Sequence, residues 1–364
     1  MIFKSNNKIL FVTFNSIGDL SYGGGQCSTR NARVLEMFGE VILYSVFKKS
    51  SIASLKSALE GNFPPFSDID EEKILSLLKN DGFSCVFLDS TLTGKLAKKI
   101  KNRLDLPVIS FCHNVEIDYI NVRFGKNPIR FLYKVLAWKS EKNIMKFSDK
   151  VIVLTQRDKE RIAELYNRDP EYILPITIKT NQDVAELERK YKALVCRQNY
   201  DKVCLFVGSL GNSKLEGIRW FVENVAPALN AKIKIVGKGF DSVASLLSRD
   251  NVEVFGFVED LERTYLEADC VIVPLMSGAG MKVKVAEALM YGKTIFGTSE
   301  AFEGYDLDFD RVGGVCNSAS EFVSRLNSYL SKSVKYNSFS RQQFEEMYRD
   351  DVAYNCFKHV LVSL

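Results

Sequence analysis

At 364 residues the chain is long enough for two domains, each with its own core. Hydrophobic residues make up 46% and charged residues 26%, which excludes an intrinsically disordered chain. The net charge of +4, from 49 Lys and Arg against 45 Asp and Glu, lacks the basic excess of a dedicated nucleic-acid binder, so no nucleic-acid partner is expected.

The chain opens with an apolar run at 9–14 that is too short for a secretory signal and is followed by no small-residue cleavage site. No apolar stretch approaches the ~18 residues of a membrane span, so the expected location is the cytoplasm. None of the 8 cysteines forms a C-x-x-C pair, and Cys85, Cys204 and Cys270 lie in or beside apolar runs. This usage fits reduced core thiols, with no metal.

Short apolar, β-rich runs recur along the chain, separated by longer helical patterns. They fall at 8–14, 40–46, 84–89, 107–111 and 150–154, and again at 202–207, 231–236, 252–255, 269–274 and 293–297. Continuous apolar strands alternating with helices predict α/β architecture with parallel sheets buried on both faces, built twice over. The polar stretch 179–200 reads as a linker, so the expected domains are 1–178 and 201–337. The segment 338–364 reads as helix without a strand and could pack back onto the first domain. Two doubly wound domains facing one another would bind ligand in the cleft at the carboxyl ends of their strands.

The richest functional signal is the run 269–305, DCVIVPLMSGAGMKVKVAEALMYGKTIFGTSEAFEGY. A strand ends at Pro274, a loop with Gly278 and Gly280 follows, and a helix is predicted from about Met281 to Tyr291. Glycines permit close backbone approach, and a helix start offers N–H groups with partial positive charge, a setting that suits a diphosphate at Gly280, Met281 and Lys282. Lys282 and Lys284 both fall in the predicted first turn, where cations oppose the helix dipole and a bound anion would relieve the mismatch. Lys282 is the better ligand candidate, because Lys284 shares a face with Glu287 and the two can pair along the helix. Glu287 sits on an otherwise apolar helix, and paired ribose hydroxyls would satisfy both of its oxygens.

This run resembles the signature of the retaining glycosyltransferases of family 4, also called glycosyl transferases group 1, which have the GT-B fold. Those enzymes carry two glutamates on this segment, and the second, which binds the donor ribose, matches Glu287. The position of the first is Ala279 here, so its role does not carry over. Some members replace it with a G-x-G-x-K-x-x-x-x-E pattern, which reads here as Gly278, Gly280, Lys282 and Glu287. The resemblance extends to 205–229, placing Gly208 and Ser209 near the donor. The arginine often found in that loop is absent, and Lys214 is the candidate substitute. The segment 252–274 resembles the stretch that contacts the nucleotide base, around Phe257 and Val258.

In the first half, Gly23-Gly24-Gly25-Gln26 follows the first strand and does not form G-x-G-x-x-G, which argues against a dinucleotide oxidoreductase. The resemblance implies a loop facing the donor phosphates at Gly25 and the acceptor at Gln26; a plain tight turn would give the same pattern. His113, one of only 2 histidines, comes just after an apolar strand. The His-Asn-Val-Glu sequence resembles the family's acceptor-side loop, implying that His113 lies beside the transferred sugar as the catalytic residue, with Asn114 and Glu116 toward the acceptor.

The stretch 123–147 carries seven basic residues and one acid, Glu141, with Ile129, Phe131, Leu132, Leu136 and Trp138 interleaved, and 95–103 adds five more basic residues. A basic amphipathic helix can dock on an anionic membrane surface at the inner face of the plasma membrane. It can equally be a solvated face over a core.

The resemblance implies transfer of a sugar from a nucleoside-diphosphate sugar to a glycan or lipid-linked acceptor, with retention and without a metal or other cofactor, in bacterial surface polysaccharide synthesis. Two alternatives share the fold: a catalytically silent nucleotide-sugar-binding subunit, made conceivable by Ala279, and a nucleotide-sugar epimerase, which would need further acid–base carboxylates.

Overall fold

The computed structural model describes residues 7–19, 22–46, 51–125, 127–195, 202–278, 280–332 and 334–364. The chain divides into two compact units, Met1–Pro175 with Asp350–Leu364, and Ile176–Arg349.

The first unit is built on six parallel strands: β1 (Lys8–Thr13), β2 (Glu40–Ser45), β3 (Cys85–Leu88), β4 (Val108–Cys112), β5 (Lys150–Val153) and β6 (Tyr172–Ile173). Their order across the sheet is β2-β1-β3-β4-β5-β6. The second unit holds β7 (Val203–Val207), β8 (Lys232–Val236), β9 (Val252–Phe255), β10 (Cys270–Val273), β11 (Thr294–Gly297) and β12 (Gly313–Val315), in the order β12-β11-β10-β7-β8-β9. Ten of these strands coincide with the apolar runs visible in the sequence, β4 extending one residue beyond its run. The two that are not, β6 and β12, are edge strands of two and three residues, too short to make a pattern.

The central strands are apolar because both faces are covered. β3, β4, β10 and β11 are buried at every position, whereas the edge strand β2 is half-exposed throughout. In the first unit Leu10, Val12, Val86, Leu88 and Val151 pack beneath helices that supply Ile74, Leu96, Ile100 and Ile144. In the second, Cys204, Ile233, Cys270 and Phe296 meet Ile218, Phe221, Phe322 and Leu326. Both sheets reverse their winding once, between β1 and β3 and between β7 and β10. At such a point the connections leave in opposite directions and open a crevice at the carboxyl ends of the strands.

The boundaries differ from those the sequence suggests. The described part of the expected linker contains a helix, Val184–Val195, that belongs to the second unit. Its Leu187 and Tyr191 are buried with Leu266, and the Tyr191 hydroxyl donates to the Tyr291 carbonyl at 2.7 Å. Likewise 338–349 stays with the second unit, where the buried Arg341 guanidinium donates to the carbonyls of Met290 and Gln182. Only the last helix, Asp350–Val362, joins the first unit, with Phe357 edge-on to Phe87 and Tyr354 stacked on Phe38.

The expected basic helix over 123–147 is also interrupted. One helix, Glu116–Phe124, ends at Gly125, whose φ of 51° few other residues tolerate, and the next runs Arg130–Phe147. The latter lies close against the helix Gly94–Arg103. The Gly94 amide donates to the Ser140 hydroxyl at 2.8 Å, and that hydroxyl donates to the Thr91 carbonyl at 2.7 Å. A Cβ on Gly94 would fall 1.9 Å from the Ser140 carbonyl oxygen. Gly94→Ala should therefore destabilise the chain by about 2 kcal/mol or more, because two backbones must separate. Denaturant unfolding monitored by circular dichroism checks this, with Gly82→Ala, at an open turn position, as a milder comparison.

Candidate functional site

In the first unit the winding reversal gathers polar side chains around one carboxylate. Asp89, directly after β3, is fully buried. Its Oδ2 accepts from the Thr13 hydroxyl at the end of β1 at 2.9 Å and from the Ser28 hydroxyl. Its Oδ1 accepts from the Asn31 amide at 2.9 Å and lies 3.2 Å from His113 Nε2. Ser28 and Asn31 come from the helix Gly23–Leu35. That helix begins with the glycines themselves, so Gly23-Gly24-Gly25 is a first helical turn, not a loop before one. Gly25 has no room for a side chain, since a Cβ would sit 2.2 Å from the Asp19 carbonyl oxygen. Gln26 follows in the same turn, half-buried.

His113 stands one residue beyond β4, with its ring edge-on to Phe111 and its side chain 11% exposed. Burial alone would favour the neutral ring, but the Asp89 carboxylate, by charge and hydrogen bond, and the neighbouring Cys27 outweigh it and push the imidazole up to about 10. The ring is therefore a cation at neutral pH.

The turn carrying His113, Asn114 and Val115 is fixed from behind by Glu141. This fully buried carboxylate accepts from the amides of Glu116 at 2.8 Å and Ile117 at 3.3 Å, capping the helix Glu116–Phe124, and from the Tyr166 hydroxyl at 2.7 Å. Burial pushes Glu141 up to about 7, against the hydrogen bonds that favour its charge. Asn114 is half-buried and Glu116 buried, so Glu116 contributes its backbone to the Glu141 cap. The signal for Glu141 was its isolation, the single acid of a basic segment. Asp89 had a weaker one, as the last polar residue of an apolar strand.

In the second unit the reversal lies between β7 and β10. After β7 come Gly208 and Ser209, and the Ser209 hydroxyl accepts from Lys214 Nζ at 3.2 Å. A Cβ on Gly208 would come 3.2 Å from the Lys214 side chain. Burial first, and the nearby Lys284 second, hold the Lys214 ammonium below its ordinary value. After β10 the chain reaches Gly280, whose φ of 64° suits glycine, and Met281, whose side chain is buried. Ala279 lies outside the described residues. The helix proper is Val283–Met290, and Lys282 is its N-cap residue, so only Lys284 of the two lysines is in the first turn. The Tyr305 hydroxyl fastens this helix start, donating to the Lys282 carbonyl at 2.8 Å and accepting from the Ala286 amide at 3.1 Å.

Both lysines meet carboxylates. Lys282 Nζ donates to Glu300 at 2.8 Å and to the Gly280 carbonyl at 2.6 Å. Lys284 Nζ is 2.7 Å from each oxygen of Glu287. Glu287 also accepts from the Tyr265 hydroxyl at 3.1 Å, and Tyr265, fully buried, stacks on Tyr291. Glu287, Lys284, Lys214 and Ser209 thus assemble at one end of the sheet, with Lys282 and Glu300 beside the preceding loop. Beyond β9, Phe257 is 78% exposed and Val258 half-buried. The tyrosines and Glu300 were not singled out in the sequence, because a tyrosine in an apolar run does not reveal whether its hydroxyl is used.

Residues 201–331 match the family described as Glycosyl transferases group 1. A Klebsiella pneumoniae protein named "Uncharacterized 44.6 kDa protein in cps region" is 22% identical over 334 residues, covering 83% of this chain and 81% of its own. Sucrose-phosphate synthase of Thermosynechococcus elongatus superposes with a TM-score of 0.73 at 10% identity, with 98% of each chain covered. Anabaena Alr3699/HepE, solved with UDP-glucose, gives 0.66 at 13% identity over 98% of this chain and 100% of its own. With two parallel six-stranded sheets flanked by helices, the chain has the GT-B fold, and its residues 201–331 carry a domain of the Glycosyl transferases group 1 type.

Proposed function

We propose that the chain transfers a sugar from a nucleoside-diphosphate sugar to a glycan or lipid-linked acceptor with retention of anomeric configuration, in the synthesis of a bacterial surface polysaccharide. The observation that carries this reading is Glu287, seated where β7 and β10 diverge beside lysines and a hydroxyl suited to a diphosphate. In it, Glu287 takes the two ribose hydroxyls, and Lys214, Lys282 and the helix-start amides take the diphosphate. Phe257 and Val258 lie against the base, with Gly208, Ser209, Gly280 and Met281 lining the path through backbone and hydroxyl. The UDP-glucose bound by the Anabaena protein supports a nucleotide-sugar donor, and the cps region in the Klebsiella protein's name supports the polysaccharide setting.

Departure of the nucleoside diphosphate builds negative charge on its terminal phosphate. Fixed ammoniums and amides that meet this charge do the work of a divalent cation, so the proposed reaction uses none. The phosphate then takes the acceptor's proton. His113, as an imidazolium held by Asp89, donates to a sugar hydroxyl or to the developing charge and does not act as a base. Gly25 and Gln26, with Asn114 and the backbone at Glu116, are the first unit's candidate contacts to donor phosphate and acceptor.

The helix Arg130–Phe147 supports a peripheral membrane setting at the inner face of the plasma membrane. Its inner face is buried through Leu136, Ala137, Ile144 and Met145, while Phe131, Leu132, Val135 and Trp138 are exposed. Arg130 lies over the Phe131 ring and Lys142 over Trp138, so apolar and cationic groups occupy one surface. Among the described residues no helix is long and apolar enough to cross a membrane.

Separate measurements test the donor site, the transfer, the histidine and the membrane surface. Glu287→Ala should weaken nucleotide-sugar binding by about 2 kcal/mol, roughly thirtyfold, in a thermal-shift titration with UDP-, GDP- and ADP-sugars; an unchanged shift removes Glu287 from the donor site. Radiolabel reaching an acceptor supports transfer, and binding without turnover makes the chain a silent nucleotide-sugar-binding subunit. For His113, nitrogen-resolved NMR should show the ring protonated until pH approaches about 10. Because its folded value is raised, the stability it contributes is complete below the ordinary pH of about 6.5 and disappears as pH rises through about 10. Asp89→Asn should move that titration down toward neutrality and make activity fall with pH over the same range. Finally, Phe131→Glu with Trp138→Glu should abolish co-sedimentation with phosphatidylglycerol vesicles, and wild type should not sediment with phosphatidylcholine alone.

A further inference from the structure

The carboxylate assigned to the ribose is already taken. Lys284 Nζ stands 2.7 Å from both Glu287 oxygens, and the Tyr265 hydroxyl reaches Oε2 from the other side. Hydroxyls that hydrogen-bond Glu287 must displace the ammonium, since the side chains of Glu287 and Lys284 are 13% and 28% exposed and leave little room for further partners. The displaced cation stays nearby, tethered one turn away in a first helical turn where positive charge is unfavourable. It needs an anion, and a second ammonium close enough to feel its charge, Lys214, follows β7 on the other side of the winding reversal.

We infer that Lys284 is a resident counter-ion that neutralises Glu287 in the empty site and passes to the donor's diphosphate when ribose takes the carboxylate. This deepens the proposed function and rests on its assignment of Glu287 to ribose. The exchange sets specificity. A ligand bearing ribose and diphosphate replaces the ion pair at both ends, ribose on Glu287 and phosphate on Lys284. A nucleoside supplies only the first, so it strands an ammonium beside Lys214. An inorganic diphosphate supplies only the second and strands a partly buried carboxylate. The site therefore selects the intact nucleoside diphosphate over either half. Lys282 is placed differently, since its ammonium is held by Glu300 and the Gly280 carbonyl, and no described contact links it to Glu287.

Calorimetry on the full chain with Lys284→Met and Lys284→Gln tests the exchange, using UDP, GDP and ADP with uridine, guanosine and adenosine as probes. For whichever diphosphate binds wild type, both variants should bind it roughly tenfold more weakly, the loss of one charge-assisted hydrogen bond. The matching nucleoside should bind the variants more tightly than wild type, because no ammonium has to leave. Opposite signs for the two ligands are the diagnostic result, which misfolding could not give, and the variants are compared once their thermal unfolding matches wild type. Equal weakening of nucleoside and diphosphate, or no change in either, overturns the counter-ion role while leaving the donor site intact. Failure of wild type to bind any of the three diphosphates overturns the donor-site reading itself.

Discussion

Because both sheets are parallel and covered on both faces, their interiors accept almost nothing but apolar side chains, and polar groups can gather only where strands end. Two winding reversals decide which strand ends matter. In the first unit they bring together Thr13, Asp89 and His113 from the ends of β1, β3 and β4. In the second they bring Gly208 and Ser209 after β7 toward the loop and helix after β10. Candidate chemistry in both units follows from this backbone constraint before any particular side chain is considered.

The two centres handle buried charge in opposite ways. Asp89 is fully enclosed, and a bare carboxylate there would be very costly, so hydroxyls from two elements, an amide and an imidazolium satisfy it. Such a network has one arrangement, and that arrangement fixes the His113 ring. Glu141 plays a comparable part for the following turn, tying the backbone after His113 to the helix Arg130–Phe147. At Glu287 the enclosure is incomplete and the Lys284 ammonium supplies the compensation. In the proposed reaction a rigid network suits His113, which would hold its geometry, and the proposed exchangeable pair suits Glu287, which would release and rebind a ligand.

Much of this was legible in the chain. The strands of the sheet interiors stand out as apolar runs because burial on both faces leaves no polar positions, whereas β6 and β12 at the edges are too short to register. Glu287 was visible because a carboxylate on an apolar helix demands a partner. The pairing of Lys284 with Glu287 follows from helical spacing, and it is present. The helix start was less legible: Lys282 caps the helix where a first-turn position was expected, because the glycine turn at Gly280 delays helical geometry. The stretch expected as a linker from 179 is, in its described part, a helix of the second unit. A polar helix such as Val184–Val195 resembles a linker until its few apolar residues, Leu187 and Tyr191, are seen buried against Leu266.

What local sequence could not show was long-range satisfaction. Asp89 and His113 are 24 positions apart, and Glu287 and Tyr265 are 22 apart, yet each pair is in contact, the first because β3 and β4 run side by side and the second because two helices of the second unit bring the side chains together. The sheet order that makes them neighbours is a property of the whole fold. A charged residue ending an apolar strand is thus only half a signal, and its other half lies on neighbouring elements, for Asp89 on β1, on the helix Gly23–Leu35 and beyond β4. That is why Asp89, Tyr265 and Tyr305, which hold the expected residues in place, were not singled out in the sequence.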